Sequence, residues 1–293
     1  MSRIAYVNGR YVPHRQARVH IEDRGYQFAD GVYEVFAVHR GRMIGEKGHM
    51  ARLDHSLGAL RIAWPMSPRA LAVVVREVAR RNRVENGLVY LQITRGVARR
   101  DHAFPKNVDS ALVVTARSSP PLDKRALRQG AGVITIPDIR WKRRDIKSTS
   151  LLPNVLGKQQ AREAGAYEAW MVDDDGMVTE GTSSNAWIVT KKGELVTRNA
   201  GYSILNGITR LAVLEAAAEA GVGFKERPFS VAEAKQAREA FVTSSTSHVK
   251  AVTSIDGRSV GNGHVGELTS RILDLYVDFI EGAGGPRNPG PWN

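Results

Sequence analysis

Glu22-Asp23-Arg24-Gly25-Tyr26-Gln27-Phe28, followed after Ala29 by Asp30-Gly31-Val32-Tyr33-Glu34-Val35, is the stretch on which the reading of the fold turns. Its second half continues through Phe36-Ala37-Val38-His39. A run this rich in β-branched and aromatic residues, closed by Arg40-Gly41, predicts a strand over Val32–His39. Toward the N-terminus, Ile4–Val7 and Tyr11-Val12 read as shorter strands joined at Asn8-Gly9. In the other direction the period changes. Met50, Leu53, Leu57 and Leu60 recur at three and four residues and make one apolar helix face. Ser67-Pro68 supplies an N-cap and a first-turn proline for a helix reaching Arg81. Asn86-Gly87 then turns the chain into strands Leu88–Thr94 and Ala111–Ala116.

Ser118-Ser119-Pro120-Pro121 is short, polar and stiffened by two prolines. It predicts a linker at 118–123 between an N-terminal domain of residues 1–117 and a C-terminal domain of residues 124–281. The second half reads as strands at Gly132–Ile136, Tyr167–Val172, Asn185–Thr190 and Ala240–Thr243, with helices at Asn154–Glu163, Thr209–Ala220 and Glu267–Ile280. Gly221 closes the middle helix, and Asp256-Gly257 turns a hairpin. Asp173–Gly176 is a turn, since the ligand spacing of a calcium loop is missing. Residues 282–293, rich in glycine and proline, read as a flexible tail. With no internal repeat and no alternating βαβ array, the chain is α+β, a smaller N-terminal domain preceding a β-rich one with helices.

The 293 residues carry 42 Lys and Arg against 30 Asp and Glu, a net charge of +12. With no Cys, disulfides, thiolate nucleophiles and Cys-ligated metals are excluded. The longest apolar stretches, Ala70–Val75 and Leu211–Ala218, fall well short of the roughly 20 residues that span a bilayer. No secretory signal opens the chain, so the expected location is cytoplasmic, with no membrane partner. A basic nucleic-acid-binding protein is the non-enzymatic alternative, but the Lys and Arg are dispersed and no recognition motif accompanies them. No glycine-rich dinucleotide or Walker loop, zinc-spaced His pair or Gly-x-Ser-x-Gly elbow is present, and no metal site is expected. Trp64, Trp141, Trp170 and Trp187 read as core or rim aromatics.

A family resemblance adds what spacing does not. The opening stretch, Asp145-Ile146-Lys147-Ser148, Thr179-Glu180-Gly181-Thr182-Ser183-Ser184-Asn185, Gly207-Ile208-Thr209-Arg210 and Phe241-Val242-Thr243-Ser244-Ser245-Thr246-Ser247 resemble, in order and spacing, the blocks of the class IV (fold type IV) pyridoxal-phosphate aminotransferases. Thr94-Arg95-Gly96 with Arg100-Asp101-His102-Ala103-Phe104-Pro105 is similar to the D-amino-acid transaminase branch. The resemblance implies a two-domain homodimer with pyridoxal 5'-phosphate as cofactor. The implied reaction moves an amino group from a D-alanine-like amino acid to a 2-oxo acid such as 2-oxoglutarate in a ping-pong cycle. A branched-chain L-amino-acid transaminase and an aminodeoxychorismate lyase are the alternatives on the same fold.

The implied roles suit the residue types. Lys147 stands in the position of the lysine that forms the Schiff base and shuttles the proton, as only an amine can condense with the aldehyde. The run Lys142-Arg143-Arg144 just before it is expected to favour a neutral amine by like-charge repulsion. Glu180 corresponds to the carboxylate that keeps the pyridine nitrogen protonated. Ile208 and Thr209, at the start of a helix, together with Ser245, Thr246 and Arg52, correspond to the phosphate ligands. Tyr33, Arg100 and His102 correspond to the trap for the substrate carboxylate, Arg100 by a planar fork and with His102 from the partner subunit. Asp101 within that trap and His248 depart from the branch's pattern.

Overall fold

A computed structural model describes residues 3–282. It forms two compact units, one ending at Leu122 but regaining Ile146–Ser150, the other made of Asp123–Asp145 and the chain from Leu151 onward.

The first unit is an antiparallel sheet with helices against it. Its elements are β1 (Ile4–Val7), β2 (Arg10–Pro13), α1 (Arg24–Phe28), β3 (Gly31–His39), β4 (Arg42–Met43), α2 (Glu46–Leu60), α3 (Pro68–Arg81), β5 (Gly87–Thr94) and β6 (Ala111–Ser118). The strand order is β2-β1-β6-β5-β3-β4. Asp23 caps α1, its Oδ1 accepting the Gly25 N–H at 2.8 Å. Ser67 caps α3 as its sequence predicts, accepting the Ala70 N–H at 3.3 Å. The α2 face predicted from its period buries Leu53 and Leu57, which pack with Leu71, Val75 and Val78 of α3 and with Val32, Phe36, Val89 and Leu91 of the sheet. Where β3 starts, Gly31 is required: a Cβ there would lie 2.8 Å from the Ile93 carbonyl on β5.

The return of Ile146–Ser150 departs from the single boundary the sequence suggests, which assigns Lys147 to the second domain. The cause is local. The Ile146 side chain is 4% exposed within the first unit's core, Ser148 bridges Val32, and the Thr149 N–H donates to the Gly31 carbonyl at 3.0 Å. The segment runs alongside the start of β3, joined to it by the single bridge at Ser148 and these backbone hydrogen bonds.

The second unit comprises α4 (Lys124–Leu127), β7 (Ala131–Pro137), α5 (Leu152–Glu163), β8 (Glu168–Val172), β9 (Val178–Gly181), β10 (Asn185–Val189), β11 (Leu195–Thr197), α6 (Ile208–Glu219), β12 (Phe224–Glu226), α7 (Val231–Lys235), β13 (Glu239–Ser244), β14 (His248–Ile255), β15 (Arg258–Ser259) and α8 (Glu267–Gly282). Its sheet runs β12-β11-β10-β13-β14-β7-β8-β9, with β15 beside β14. Strand β7 is parallel to both neighbours, which lets one sheet join chain segments far apart in sequence. Every residue of β10 is buried, as expected of a strand covered on both faces. Trp187 stacks on Phe241 at 5.2 Å and donates its indole N–H to Thr243 at 2.9 Å; Trp170 meets Phe229 edge-on. Helices α6 and α8 pack on each other and on β13. Trp141, by contrast, is 44% exposed. Gly282, which composition assigns to a tail over 282–293, belongs to α8; the remainder of that expected tail lies outside the described residues.

Candidate active site

Lys147 sits on the returning segment, where two hydrogen bonds hold its own backbone and a third holds Thr149 beside it. Its carbonyl accepts the Tyr33 N–H of β3 at 3.0 Å, its N–H donates to Ser56 Oγ of α2 at 3.2 Å, and Thr149 Oγ1 donates to the Ala29 carbonyl at 2.9 Å. The half-buried ammonium lies 4.3 Å from the centre of the Tyr33 ring, and among the described residues no carboxylate pairs with it. Two members of the basic run before it are paired with acids of their own. Arg143 pairs with Asp145 at 2.9 Å and Arg144 reaches Asp138 at 3.2 Å, so both charges are spent on neighbouring acids.

Arg52 is 3% exposed and has a partner that sequence reasoning missed. Its Nε and Nη2 each donate at 2.7 Å to the Glu34 carboxylate, which is completely buried on β3. His49 joins through Nδ1 at 2.7 Å from Glu34. Burial pushes the Glu34 carboxyl up, but Arg52 and His49 overcome this and hold it at about 2. Burial holds the His49 imidazole below its ordinary value against the pull of Glu34, and Arg52 and Lys147 add to the lowering. The triad therefore carries a carboxylate, a guanidinium and a neutral imidazole at neutral pH.

Tyr33 also packs against Tyr90, with ring centres 5.7 Å apart. Arg100 and His102 lie elsewhere in the unit, on the exposed chain between β5 and β6, and share the ring of Phe28: the Arg100 guanidinium is 4.5 Å and the His102 ring 5.4 Å from its centre. The first unit thus joins Tyr33 to Lys147, Arg52 to Glu34, and Arg100 to His102.

In the second unit Glu180 lies on β9 and is 4% exposed. Its carboxylate accepts from Arg140 Nη1 at 2.5 Å, Asn185 Nδ2 at 3.1 Å and the Leu205 N–H at 3.1 Å. Burial raises the carboxyl above its usual range; Arg140 and the Leu205 N–H work against this, and Asp138 adds to it. Arg140 in turn is gripped by Asp138 at 2.8 Å, and Thr179 Oγ1 donates to the same acid at 2.7 Å. No spacing in Asp138-Ile139-Arg140 announces this, because the acid they serve lies forty positions on in the chain.

Asn185 ties Glu180 to the entry of α6, donating also to the Leu205 carbonyl at 2.8 Å. A Cβ on Gly207 would fall 2.0 Å from Asn185 Oδ1, so only glycine fits. Gly207 gives α6 no side-chain cap, leaving the N–H groups of Ile208 and Thr209 at a bare positive helix end. The Thr209 side chain interacts with the buried Tyr276 of α8, whose hydroxyl burial pushes up to about 12. Ser245 and Thr246 form the turn between β13 and β14. Ser244 Oγ accepts the Ser247 N–H at 2.9 Å, and Tyr167 donates to Ser247 Oγ at 2.5 Å. His248, the other departure, opens β14 at a left-handed φ of 56° with its ring 5.9 Å from that of Tyr276.

Comparison with known proteins bears on these features. The profile of amino-transferase class IV matches residues 31–255. The D-alanine aminotransferase of Bacillus licheniformis is 41% identical over 274 residues, covering 93% of this chain and 95% of the relative. That of Staphylococcus haemolyticus is 37% identical over 278 residues, 94% of this chain and 97% of the relative. Among solved structures, a T.th. branched-chain amino acid aminotransferase with pyridoxamine 5'-phosphate superposes with a TM-score of 0.87 at 25% identity, covering 95% of this chain and 94% of that one.

Proposed function

The chain belongs to the class IV amino-transferases, and on that premise we propose that it moves the amino group of a D-amino acid, D-alanine or a near relative, to a 2-oxo acid such as 2-oxoglutarate. Its cofactor is pyridoxal 5'-phosphate. The observation that carries the reading is Lys147: a lysine pinned through its backbone, half-buried on an aromatic face, with no acid among the described residues to neutralise it.

The residues present fit this cofactor. A buried acid with several donors (Glu180) suits a pyridinium, and an uncapped helix start (Ile208, Thr209) suits a phosphate. Ser245, Thr246 and Arg52 complete the phosphate set in this proposal. Bound there, pyridoxal phosphate supplies a protonated ring that accepts electron density from the substrate's α-carbon. Lys147 Nζ would take the proton from that carbon and deliver it to the cofactor's C4′ carbon, serving as base and then acid. Tyr33 gives the lysine a stacked resting position and shields one side of it from water. Glu180 holds the proton of the ring nitrogen, and Arg140 with Asn185 fixes the orientation of its carboxylate. Arg100 and His102, together with Tyr33, take the substrate carboxylate. The proposal places the enzyme in the cytoplasm as a homodimer, each subunit lending Arg100 and His102 to its neighbour's site. No helix among the described residues is long and apolar enough to cross a membrane.

The test is a half-reaction. Holoenzyme mixed with D-alanine loses the absorbance of the aldehyde form, and L-alanine leaves it unchanged. Conversion by L-leucine but not D-alanine refutes the D-specific reading and favours a branched-chain L-amino-acid transaminase.

A further inference from the structure

The segment that carries Arg100 and His102 is exposed and irregular. A recognition arginine on such a segment forfeits affinity to loop and rotamer ordering unless the free protein already holds it. Here the holding parts are visible. Arg24 is 3% exposed; its Nη1 donates to the Asp101 carbonyl at 2.6 Å and its Nη2 to the His102 carbonyl at 3.4 Å. Its Nε is fixed by Asp30 at 2.8 Å, and Arg95 grips the two oxygens of the same acid at 2.8 and 2.9 Å. Arg95 also lies 3.7 Å from the centre of the Phe104 ring, so the far end of the segment is held by the same charge cluster. Phe28 carries the Arg24 guanidinium 4.9 Å and the Arg100 guanidinium 4.5 Å from its ring centre.

The Asp101 side chain, one of the two departures from the branch's pattern, turns back to accept the Ala103 N–H at 3.0 Å. It closes a local Asx turn, while its backbone carbonyl is what Arg24 reads.

We propose that Arg24 and Phe28 are positioning residues for recognition of the substrate carboxylate: Arg24 fixes the backbone at Asp101 and His102, and the Phe28 ring is the platform that presets the Arg100 guanidinium. The inference rests on the reading of Arg100 as the carboxylate's partner. Neither residue touches substrate, so both act through Arg100. Because the platform serves binding alone, its loss raises KM and spares kcat.

The experiment is a kinetic cycle on the holoenzyme with D-alanine and 2-oxoglutarate, using Phe28→Leu, Arg100→Ala, the double variant, Phe28→Tyr and Arg24→Lys. Loss of one cation–ring contact predicts that Phe28→Leu raises KM for D-alanine about fivefold, with kcat within about twofold of the parent. Phe28→Tyr, which keeps a ring, restores the parental KM. Arg24→Lys, which cannot reach both carbonyls, raises KM as Phe28→Leu does. In the Arg100→Ala background, Phe28→Leu adds less than about twofold, because the group it positions is gone. An equal KM effect in both backgrounds, or an unchanged KM in Phe28→Leu while Arg100→Ala raises it, overturns the inference alone. An unchanged KM in Arg100→Ala overturns the underlying reading of the trap.

Discussion

Replacing Glu34 by Gln tests the charge triad under β3. The carboxyl is held at about 2, well below its ordinary 4.5. At about 1.36 kcal/mol per unit, this is about 3 kcal/mol of stability at neutral pH. The sign follows from which state takes up protons first. The unfolded chain protonates Glu34 as the pH falls below 4.5 while the folded state resists, so the contribution is complete above 4.5 and fades toward 2. About 2 kcal/mol of it disappears between pH 7 and pH 3 by the same relation. His49, lowered chiefly by burial, acts in the same direction: near pH 6.5 the unfolded imidazole begins to charge and the folded one does not. At pH 7 Glu34→Gln leaves Arg52 buried without its counter-charge, which costs about 3–5 kcal/mol. The assay is urea unfolding of parent and variant at pH 7, 5, 4 and 3, followed by fluorescence. The expected result is a stability gap that narrows by about 2 kcal/mol from pH 7 to pH 3. A gap that is the same at every pH, or absent at pH 7, refutes the charged triad.

Three further outcomes follow from the second unit. Glu180→Gln keeps the shape but not the charge opposite Arg140, and turnover falls at least about a hundredfold while the cofactor still binds; absorbance and steady-state rates separate the two. Gly207→Ala drives a methyl into Asn185, so it loosens both the hold on Glu180 and the entry of α6; equilibrium dialysis detects the weaker cofactor binding. Trp187→Ala removes the ring stacked on Phe241 and costs about 3–5 kcal/mol in thermal or urea unfolding.

The elements legible in the sequence were those whose information is local. Strand β3 announces itself by β-branched and aromatic residues, α3 by Ser67-Pro68, and α2 by the spacing of Leu53 and Leu57. Strands β9, β11 and β12, of three or four residues, lack the adjacent Asn-Gly turn that marks the equally short β1, and their partners supply what makes them strands. The same divide runs through the site. Lys147, Glu180 and Thr209 can be proposed as site residues from the sequence because they lie in blocks that resemble the family's. Arg140, Asp138, Glu34 and His49 were not, because each matters through a hydrogen bond to a residue distant in sequence. The exchange of Ile146–Ser150 is a contact of that kind, a core isoleucine and a backbone bridge that no linker composition foretells.

The proposed reaction requires the Lys147 amine to be the group to which the cofactor attaches. Reduction of the yellow holoenzyme with borohydride, proteolysis and mass spectrometry of the peptides test it directly. A single phosphopyridoxyl label is expected on the peptide containing Lys147, with no colour and no label in Lys147→Ala. A label on Lys142, Lys158 or any other lysine, or its retention in Lys147→Ala, contradicts it.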